Sequence, residues 1–315
     1  MRSIVAGAAG FIGSHLCETL LKAGEEVIGL DNLTTGNFDN VKLLKQYPNF
    51  KMIICDITYQ EEIAELYLKD IDYIYHMASP ASPVDYQEKP FITMDANTKG
   101  TENLLRLCLY HKAKLLFAST SEIYGDPLEH PQKESYWGNV STTGPRSVYD
   151  EAKRFGETLC VAYRNYRGVD SKIVRIFNTY GPRMRSNDGR VIPNFVNQAL
   201  NKEPLTIYGT GLQTRSFCYV SDLVKGLISL MTSDISGPVN LGNDSEMNML
   251  ELANLVNKYT GNDKAIVYRP LPKHDPTRRK PDLTLAKSTL YYAPVVPFEE
   301  GIQKTISWFR QADSE

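Results

Sequence analysis

A tyrosine followed four positions later by a lysine can remove the proton of an alcohol while a hydride leaves the same carbon. The sequence contains three such pairs, Tyr47/Lys51, Tyr110/Lys114 and Tyr149/Lys153. Pro48 disfavours a helix through the first pair, and the second pair runs directly into an apolar strand, so neither is expected to share a helix face. Tyr149 and Lys153 lie in a long helical pattern after that strand, where this spacing stacks two side chains.

The chemistry of this pair depends on the ionisation of the tyrosine. A free phenol has a pKa of about 10 and is a poor base at neutral pH. We expect the Lys153 ammonium and a cationic nicotinamide ring to lower the pKa of Tyr149, and Lys153 to hold the nicotinamide ribose. Thr120 ends the preceding strand and is expected to hydrogen-bond the same substrate oxygen.

That strand ends in a run of polar side chains, within the segment "LLFASTSEIYGDP" at 115–127. The polar residues are Ser119, Thr120, Ser121 and Glu122. One interpretation is structural, because serine and threonine hydroxyls commonly satisfy backbone groups at strand ends. The other is functional, because ligands bind at the carboxyl edge of parallel sheets.

Gly7, Gly10 and Gly13 follow the first predicted strand and open the first helix. This spacing allows a tight turn, close approach to a pyrophosphate and close helix packing. Asp31 ends the second strand 18 residues after Gly13, where a carboxylate accepts the ribose hydroxyls of NAD and repels the 2′-phosphate of NADP. We therefore predict an NAD site. The alternative is that Asp31 only caps the turn of "DNLTTG".

The elements that must position these residues alternate between short β-rich runs and amphipathic helical stretches. The predicted strands are "SIVA", "EVIGL", "KMIIC", "DYIYHM", "KLLFAS" and "SKIVRIF", and long helical patterns cover about 90 to 111 and 147 to 167. This alternation predicts an α/β fold with a Rossmann-type doubly wound parallel sheet. We predict an NAD-binding domain over 1–178, allow for the return of segments near 215–245 to it, and predict a smaller substrate-binding α/β domain over 179–315.

The composition is that of an ordinary globular protein, with 42% hydrophobic and 23% charged residues among 315. A net charge of −2 argues against nucleic acid as the main partner. The five cysteines occur singly, which indicates buried thiols in a reducing compartment. The start "MRSIVAGAAGF" lacks a charged leader followed by a long apolar run, and no segment is long enough to span a bilayer, so we expect a cytoplasmic protein without a membrane partner.

The glycine spacing and the Tyr149/Lys153 pair resemble those of the extended short-chain dehydrogenase/reductase superfamily. Within it, the chain resembles the UDP-glucuronate decarboxylase (UDP-xylose synthase) family from about residue 3 to 310. The motifs are "YHMASPASPVDY", "STSEIYGDPLEHPQ", "YWGNV", "YDEAKR", "RIFNTYGPRM", "DGRVIPNF", "YGTGLQTRSFCYVSDLV" and "RRKPD". Most of them are shared with epimerases and dehydratases, whereas Ser121 and Glu122 after Thr120 are shared mainly with decarboxylases.

The resemblance implies a reaction. Bound NAD oxidises C4 of UDP-glucuronate, the C6 carboxylate leaves as CO₂, C5 is protonated, and the same NADH reduces C4 to give UDP-xylose. No metal is expected, because the new ketone accepts the electrons that CO₂ leaves behind. Glu122 is expected to handle the C5 proton together with an ordered water. The helices near 90–111 and 147–167 resemble those of the family's homodimer.

The resemblance also extends the site beyond the residues already derived. The catalytic residues are Thr120, Glu122, Tyr149, Lys153 and Arg279. The cofactor-binding residues are Gly7, Gly10, Phe11, Ile12, Gly13, Asp31, Asn32, Thr35, Gly36, Asp56, Ile57, Ala78, Ser79, Asn97, Tyr149, Lys153 and Thr179. The substrate-binding residues are Ser82, Ser121, Asn178, Arg190, Tyr208, Gln213, Arg215 and Arg279. Arginine suits the diphosphate and the carboxylate because its fork binds both bidentately. The alternative for "RRK" at 278–280 is a solvated charge run.

The chain departs from the family pattern at Asp95-Ala96-Asn97, where relatives are expected to have Lys-Thr-Asn. Either Lys99 replaces the missing cation near the sugar, or the substrate carboxylate is held elsewhere. Three other functions stay open: a 4-epimerase or 4,6-dehydratase of another nucleotide sugar, a decarboxylase that releases UDP-4-keto-pentose and NADH, and a non-enzymatic NAD-binding sensor. The intact Tyr149/Lys153 pair argues against the sensor, and release of CO₂ from UDP-glucuronate would separate the enzymes.

Overall fold

A computed structural model describes residues 1–64, 66, 68–270 and 278–312. Within those ranges the strands are β1 (Arg2–Ala6), β2 (Glu26–Asp31), β3 (Phe50–Ile54), β4 (Tyr73–His76), β5 (Lys114–Thr120), β6 (Ser171–Ile176), β7 (Thr179–Tyr180), β8 (Thr206–Tyr208), β9 (Thr214–Ser216), β10 (Cys218–Tyr219), β11 (Val239–Leu241), β12 (Glu246–Asn248), β13 (Val267–Arg269) and β14 (Arg278–Arg279). The helices are α1 (Phe11–Lys22), α2 (Phe38–Leu44), α3 (Gln60–Ala64), α4 (Pro83–Glu88), α5 (Pro90–Asn97), α6 (Lys99–His111), α7 (Ser147–Arg167), α8 (Val191–Leu200), α9 (Val220–Thr232), α10 (Met249–Thr260), α11 (Thr284–Leu290) and α12 (Phe298–Ala312), and a 3₁₀ turn covers Ser121–Tyr124.

The largest sheet has the strand order β11-β6-β5-β4-β1-β2-β3, and every neighbouring pair in it is parallel. The predicted doubly wound parallel sheet is therefore confirmed. The chain leaves β1 in one direction through β2 and β3 and in the other through β4, β5 and β6. Such a reversal opens a crevice at the carboxyl edge of the strands, where ligands of this fold bind.

Helices cover both faces of this sheet, and alternate residues of each central strand enter different cores. Ile4 of β1 belongs to the core beneath α6 and α7, whereas the next residue, Val5, belongs to the core beneath α1 and α9. Leu115 and Leu116 of β5 divide in the same way. Burial on both faces explains why the strands are continuous apolar runs rather than alternating ones.

Two predicted helices have different outcomes. The pattern at 147–167 is confirmed by α7. The pattern at 90–111 is two helices rather than one, because Thr98, with φ −111° and ψ −77°, separates α5 from α6. Helical periodicity continues across Thr98 and so conceals the break.

The chain beyond residue 178 contributes to the large sheet as well as to smaller ones. Strand β11 pairs with β6 at the edge of the large sheet, and α9 packs on that sheet. A separate three-stranded sheet has the order β12-β9-β14, and in it Arg279 pairs with Arg215. The division into domains at 1–178 and 179–315 stays a prediction.

All five cysteines are buried and unpaired, as predicted. In the described part of the chain, no helix combines the length and the apolar character needed to cross a membrane.

Candidate active site

The glycine-rich turn joins β1 to α1 and approaches the neighbouring backbone closely. Gly7 has a φ of +87°, a left-handed conformation that favours glycine. A Cβ atom at Gly7 would lie 2.7 Å from the backbone nitrogen of Ala78, just after β4. The Gly7 N–H donates to the carbonyl oxygen of Leu30 at 2.8 Å. The turn therefore leaves a cradle between β1, β2 and β4 that any other side chain would fill.

A cleft opens beside this turn at the carboxyl edge of the strands, and we call it the cofactor cleft. Ten predicted cofactor residues line it: Gly7, Gly10, Asp31, Asn32, Thr35, Gly36, Asp56, Ile57, Ala78 and Ser79. Residues that sequence analysis missed also line it: Leu30, Thr34, Cys55, Thr58, Met77, Pro80, Ile92 and Ala96. Most of the missed residues adjoin a predicted one, so the ends of the strands are the signal that would have found them.

Asp31 has a structural role in addition to facing this cleft. Its carboxylate accepts hydrogen bonds from the backbone N–H groups of Ala9 at 3.0 Å and Leu33 at 2.8 Å. Burial raises the pKa of Asp31, and these two hydrogen bonds act in the opposite direction. The carboxylate thus fixes the turn. Each of its oxygens can accept a further hydrogen bond, for example from a ribose hydroxyl. The two interpretations of Asp31 are compatible.

The other predicted cofactor residues are not among those that line the cleft: Phe11, Ile12, Gly13, Asn97, Tyr149, Lys153 and Thr179. Gly13 has a packing role, because a Cβ atom there would overlap the Gly7 carbonyl group. Asn97 is one contact away from the cleft, since its Nδ2 donates to the Ser79 hydroxyl at 2.8 Å.

Tyr149 and Lys153 lie on one face of α7 with buried side chains. Tyr149 shares a hydrogen bond with Thr120, at the end of β5. The Lys153 ammonium donates to the carbonyl oxygen of Ala118 at 2.7 Å and lies 5.7 Å from the centre of the Tyr149 ring. The structure therefore brings together the three residues that were predicted to act on one alcohol.

Burial dominates the ionisation of both α7 residues. It raises the pKa of Tyr149, while the hydrogen bond from Thr120 acts in the opposite direction. It lowers the pKa of Lys153 to about 7. The expectation that Lys153 and a cationic nicotinamide together lower the pKa of Tyr149 stays a prediction, because in the protein alone loss of hydration of the phenolate outweighs nearby favourable contacts.

The hydroxyl run at the end of β5 divides between structure and chemistry. The Ser119 hydroxyl donates to Glu157 at 2.6 Å, and Glu157 also holds Arg175 at 2.8 Å. Thr120 accepts from the backbone N–H of Glu122 at 3.2 Å as well as bonding to Tyr149. The structural interpretation therefore describes Ser119, whereas Thr120 caps the 3₁₀ turn and also contacts Tyr149.

Two arginines from distant parts of the chain converge on Glu122, and we call Glu122, Arg146 and Arg279 the arginine cluster. Arg146 precedes α7 and Arg279 lies on β14, and each donates to the Glu122 carboxylate, with Arg279 Nη2 3.1 Å from Oε2. The Arg279 side chain is only 5% exposed. Burial by itself raises the pKa of Glu122, but Arg279 and Arg146 outweigh burial and lower it to about 2. Glu122 is therefore ionised at neutral pH, and it can hold the arginines or accept a proton rather than donate one.

The "RRK" segment is not a uniform charge run. Arg278 is exposed, whereas Arg279 is buried in the arginine cluster. Gln132 is fully buried and fixes the next residues, because its side-chain oxygen accepts from Lys280 N at 2.9 Å and its carbonyl accepts from Asp282 N at 2.8 Å. The solvated interpretation fits Arg278 and fails for Arg279.

Sequence analysis missed Arg146 and Tyr86. Tyr86 of α4 stacks on Tyr149 with ring centres 5.1 Å apart and planes 7° apart, and burial raises its pKa. Within the described residues, its buried hydroxyl has no hydrogen-bond partner. The available signals were the positions of Arg146, three residues before Tyr149, and of Tyr86, at the end of "SPASPVDY".

The predicted substrate residues fall into two groups in the structure. Ser82 is buried at the start of α4, where its hydroxyl donates to Asp85 at 2.8 Å, and Ser121 is buried beside Glu122. Arg190 forms a two-pronged ion pair with Asp188, at 2.5 and 2.7 Å.

The other group belongs to the smaller sheets and their connections. Arg215 is buried on β9 and pairs through the backbone with Arg279, so the structure brings these two predicted residues together. The Gln213 side chain donates to the carbonyl oxygen of Tyr208 at 2.6 Å. Asn178 accepts from the backbone N–H of Cys218 at 2.9 Å.

The departure at Asp95 lies on the surface. Lys99 pairs with Asp95 at 3.1 Å, with side chains 65% and 40% exposed. Lys99 therefore does not replace a missing cation in the site. The other explanation, a substrate carboxylate held elsewhere, stays a prediction.

Comparison with known proteins gives a consistent set of relatives. The model of the NAD dependent epimerase/dehydratase family matches residues 3–242. The chain is 50% identical over 310 residues to UDP-glucuronic acid decarboxylase 1 of Xenopus tropicalis. The alignment covers 98% of this chain and 72% of that protein. It is 49% identical to UDP-glucuronic acid decarboxylase 1 of Arabidopsis thaliana, with 98% and 70% covered.

Solved structures resemble this chain over nearly its whole length. A UDP-glucose 4-epimerase from Thermotoga maritima with UDP-glucose has a TM-score of 0.92 at 29% identity and covers 99% of both chains. A UDP-glucuronic acid 4-epimerase from Bacillus cereus, in complex with UDP-glucuronic acid and NAD, has a TM-score of 0.89 at 29% identity and covers 99% of this chain and 100% of that one.

Proposed function

The chain belongs to the NAD dependent epimerase/dehydratase family, and from this premise we propose that it is an NAD-dependent carboxy-lyase that converts UDP-glucuronate to UDP-xylose. Relatives that share half of its residues are UDP-glucuronic acid decarboxylases. The observation that carries the proposal is the arginine cluster beside Tyr149. Two guanidinium groups and one carboxylate leave a net positive charge for a second carboxylate, that of the substrate.

The cofactor cleft fits NAD. The Gly7 cradle, which a Cβ atom would fill, and the start of α1 accept the diphosphate, and Asp31 accepts the adenosine ribose hydroxyls. Bound NAD supplies the acceptor for the hydride that leaves C4 of the sugar and returns that hydride at the end of the cycle.

Tyr149 and Thr120 act on the C4 hydroxyl group. Tyr149 takes its proton while Thr120 hydrogen-bonds the same oxygen and orients it. Lys153, anchored on the Ala118 carbonyl, lies beside the Tyr149 ring, and its charged form stabilises the phenolate needed for this step.

Arg146 and Arg279 hold the C6 carboxylate of the sugar. Once C4 is a ketone, the C5–C6 bond breaks, CO₂ leaves, and the electron pair passes to the C4 oxygen as an enolate. Both guanidinium groups remain to stabilise that negative charge. Glu122 keeps them aligned, because it binds both.

The UDP group is held by the smaller sheets and their connections. The residues assigned to it are Asn178, Arg190, Tyr208, Gln213 and Arg215. Arg215 lies beside Arg279 in the same sheet, so a diphosphate bound to Arg215 is adjacent to a sugar carboxylate bound to Arg279. Ser82 and Ser121 complete the sugar side.

The decisive experiment incubates the purified protein with UDP-glucuronate and follows CO₂, NADH and the sugar product by NMR. We expect CO₂ and UDP-xylose in equal amounts, with little net NADH. Inversion at C4 without CO₂ would identify a 4-epimerase instead. Stoichiometric NADH with UDP-4-keto-pentose would identify the decarboxylase that releases its intermediate.

We also propose a homodimer formed through α6 and α7. Large apolar side chains are exposed on these helices and on α5 beside them: Phe91, Leu109, Tyr110, Phe155, Val161 and Tyr166. Exposed apolar side chains concentrated on neighbouring helices are typical of a protein interface. Sedimentation should give a dimer, and Phe155→Glu should give a monomer. Tyr268→Glu, at an aromatic residue of β13 with similar exposure (53% against 51% for Phe155), is the matched control. A monomeric unaltered protein would contradict the proposal.

We propose a cytoplasmic location from the state of the cysteines. Five unpaired buried thiols fit a reducing compartment. Cell fractionation tests this directly, and recovery outside the cytoplasm would overturn it.

A further inference from the structure

A second carboxyl group lies beside the arginine cluster. Asp150 follows Tyr149 on α7, one turn after Arg146, and is only 4% exposed. Its Oδ1 is buried and, within the described residues, has no hydrogen-bond partner. An ionised carboxylate is costly to bury without such partners, whereas a protonated one is not. Burial accordingly raises the pKa of Asp150 to about 7.

Titratable groups face Asp150 from four elements. They are Glu122 of the 3₁₀ turn, Arg146 and Glu151 at the start of α7, Arg279 of β14, and the phenols of Tyr149 on α7 and Tyr86 on α4. After burial, the charge of Glu122 is the largest influence and also raises the pKa of Asp150, against the two arginines. Burial and the charge of Glu122 thus both favour the protonated form of Asp150.

Glu122 is unsuited to donate a proton. Arg279 and Arg146 lower its pKa to about 2, so Glu122 is ionised at neutral pH. After CO₂ leaves, C5 needs a donor that already carries a proton. Of the two buried carboxyls, only Asp150 meets that requirement.

We propose that Asp150 holds the proton that C5 receives after CO₂ leaves, whereas Glu122 holds the two arginines; this inference rests on the proposed function. The Asp150 O–H bond breaks, a C5–H bond forms, and the enolate returns to a ketone. Solvent then reprotonates Asp150 before the next turnover.

The formal charge of the site supports this division of roles. The arginine cluster carries one net positive charge, which the substrate carboxylate balances. The enolate replaces that carboxylate when neutral CO₂ leaves, and ionised Asp150 replaces the enolate when C5 is protonated. No step leaves a buried charge uncompensated, which would be costly.

The test compares Asp150→Asn with Glu151→Gln. Glu151 is the next residue on α7, its side chain is 39% exposed, and it pairs with Arg154 at 3.7 Å. We expect Asp150→Asn to slow turnover of UDP-glucuronate by about 100-fold. Its solvent isotope effect in heavy water should also increase, because protonation of C5 then limits the rate. Glu151→Gln should match the unaltered protein, and Asp150→Glu should recover part of the loss.

A second measurement needs no variant. In the unaltered protein kcat should fall as pH rises through about 7, because the donor must be protonated, and Asp150→Asn should lack that limb. The inference would be overturned if Asp150→Asn turned over normally. It would also be overturned if kcat of the unaltered protein did not fall as pH rises through about 7. An unaltered protein that releases no CO₂ would instead overturn the proposed function, so the two failures are distinguishable.

Discussion

The cofactor cleft and the arginine cluster are assembled in opposite ways. The cleft is formed by backbone turns and by residues that directly follow strands, so its parts are close in the sequence. The cluster is formed by side chains that meet across 24 and 157 positions. A cleft of the first kind is defined by local geometry, whereas a cluster of the second kind exists only once β14 is in place.

Their electrostatics differ as well. Burial raises the pKa of Asp31 in the cleft, where its partners are backbone N–H groups. In the cluster, burial acts on Glu122 in the same direction, but two guanidinium groups reverse the result. Changes in the cleft should therefore alter cofactor binding, and changes in the cluster should alter turnover of the sugar.

The largest effect is expected at Tyr149, which lies beside the arginine cluster. Tyr149→Phe removes the base but almost no volume, so kcat should fall about 10³-fold while NAD affinity stays within about twofold. Product NMR and a cofactor titration measure the two quantities. A variant that kept most of its turnover would remove Tyr149 from the chemistry.

The next largest effect tests the arginine cluster against its exposed neighbour. Arg279→Ala should lower kcat/KM for UDP-glucuronate about 10²-fold, because it removes a buried cation that stabilises the enolate. Arg278→Ala is the matched control and should change kcat/KM by less than about twofold, as an exposed charge does. Equal effects of the two substitutions would return "RRK" to a solvated charge run.

A smaller effect is expected in the cofactor cleft. Asp31→Ala should weaken NAD binding about tenfold, since hydrogen bonds to a charged group are lost, and should leave NADP binding less affected. Asp39→Ala on α2, an exposed carboxylate paired with Lys42, serves as the control. Fluorescence titration with both cofactors measures the preference. Unchanged discrimination would mean that Asp31 only fixes the turn.

The smallest effect is expected on the surface. Asp95→Lys replaces an exposed ion pair with two like charges across the break between α5 and α6 and should lower the free energy of unfolding by about 0.5 kcal/mol. KM for UDP-glucuronate should not change. Thermal unfolding and steady-state kinetics measure the two quantities, and a severalfold lower KM would place residue 95 near the sugar after all.

Much of the fold was predictable because its signals are local. Apolar strands buried on both faces and the helix at 147–167 are visible in the sequence, and α7 has those bounds. The break at Thr98 was not predictable, because periodicity continues through it. The cleft residues were found for the same reason, since they follow strands directly.

The site was predictable only in part. Tyr149, Lys153 and Thr120 were found because their spacing and position at a strand end indicate a function. Arg146 and Tyr86 were missed, because their contribution depends on which side chains the topology places beside Glu122 and Tyr149.

By itself the sequence determined the doubly wound sheet, the glycine turn and the Tyr149/Lys153 pair, because each depends on residues within one or two adjacent elements. Only the tertiary structure decided which carboxyls are charged. The two arginines keep Glu122 ionised, whereas burial and the charge of Glu122 favour the protonated form of Asp150. Arg279 and Glu122 are 157 positions apart in the sequence, and no local pattern contains that pair.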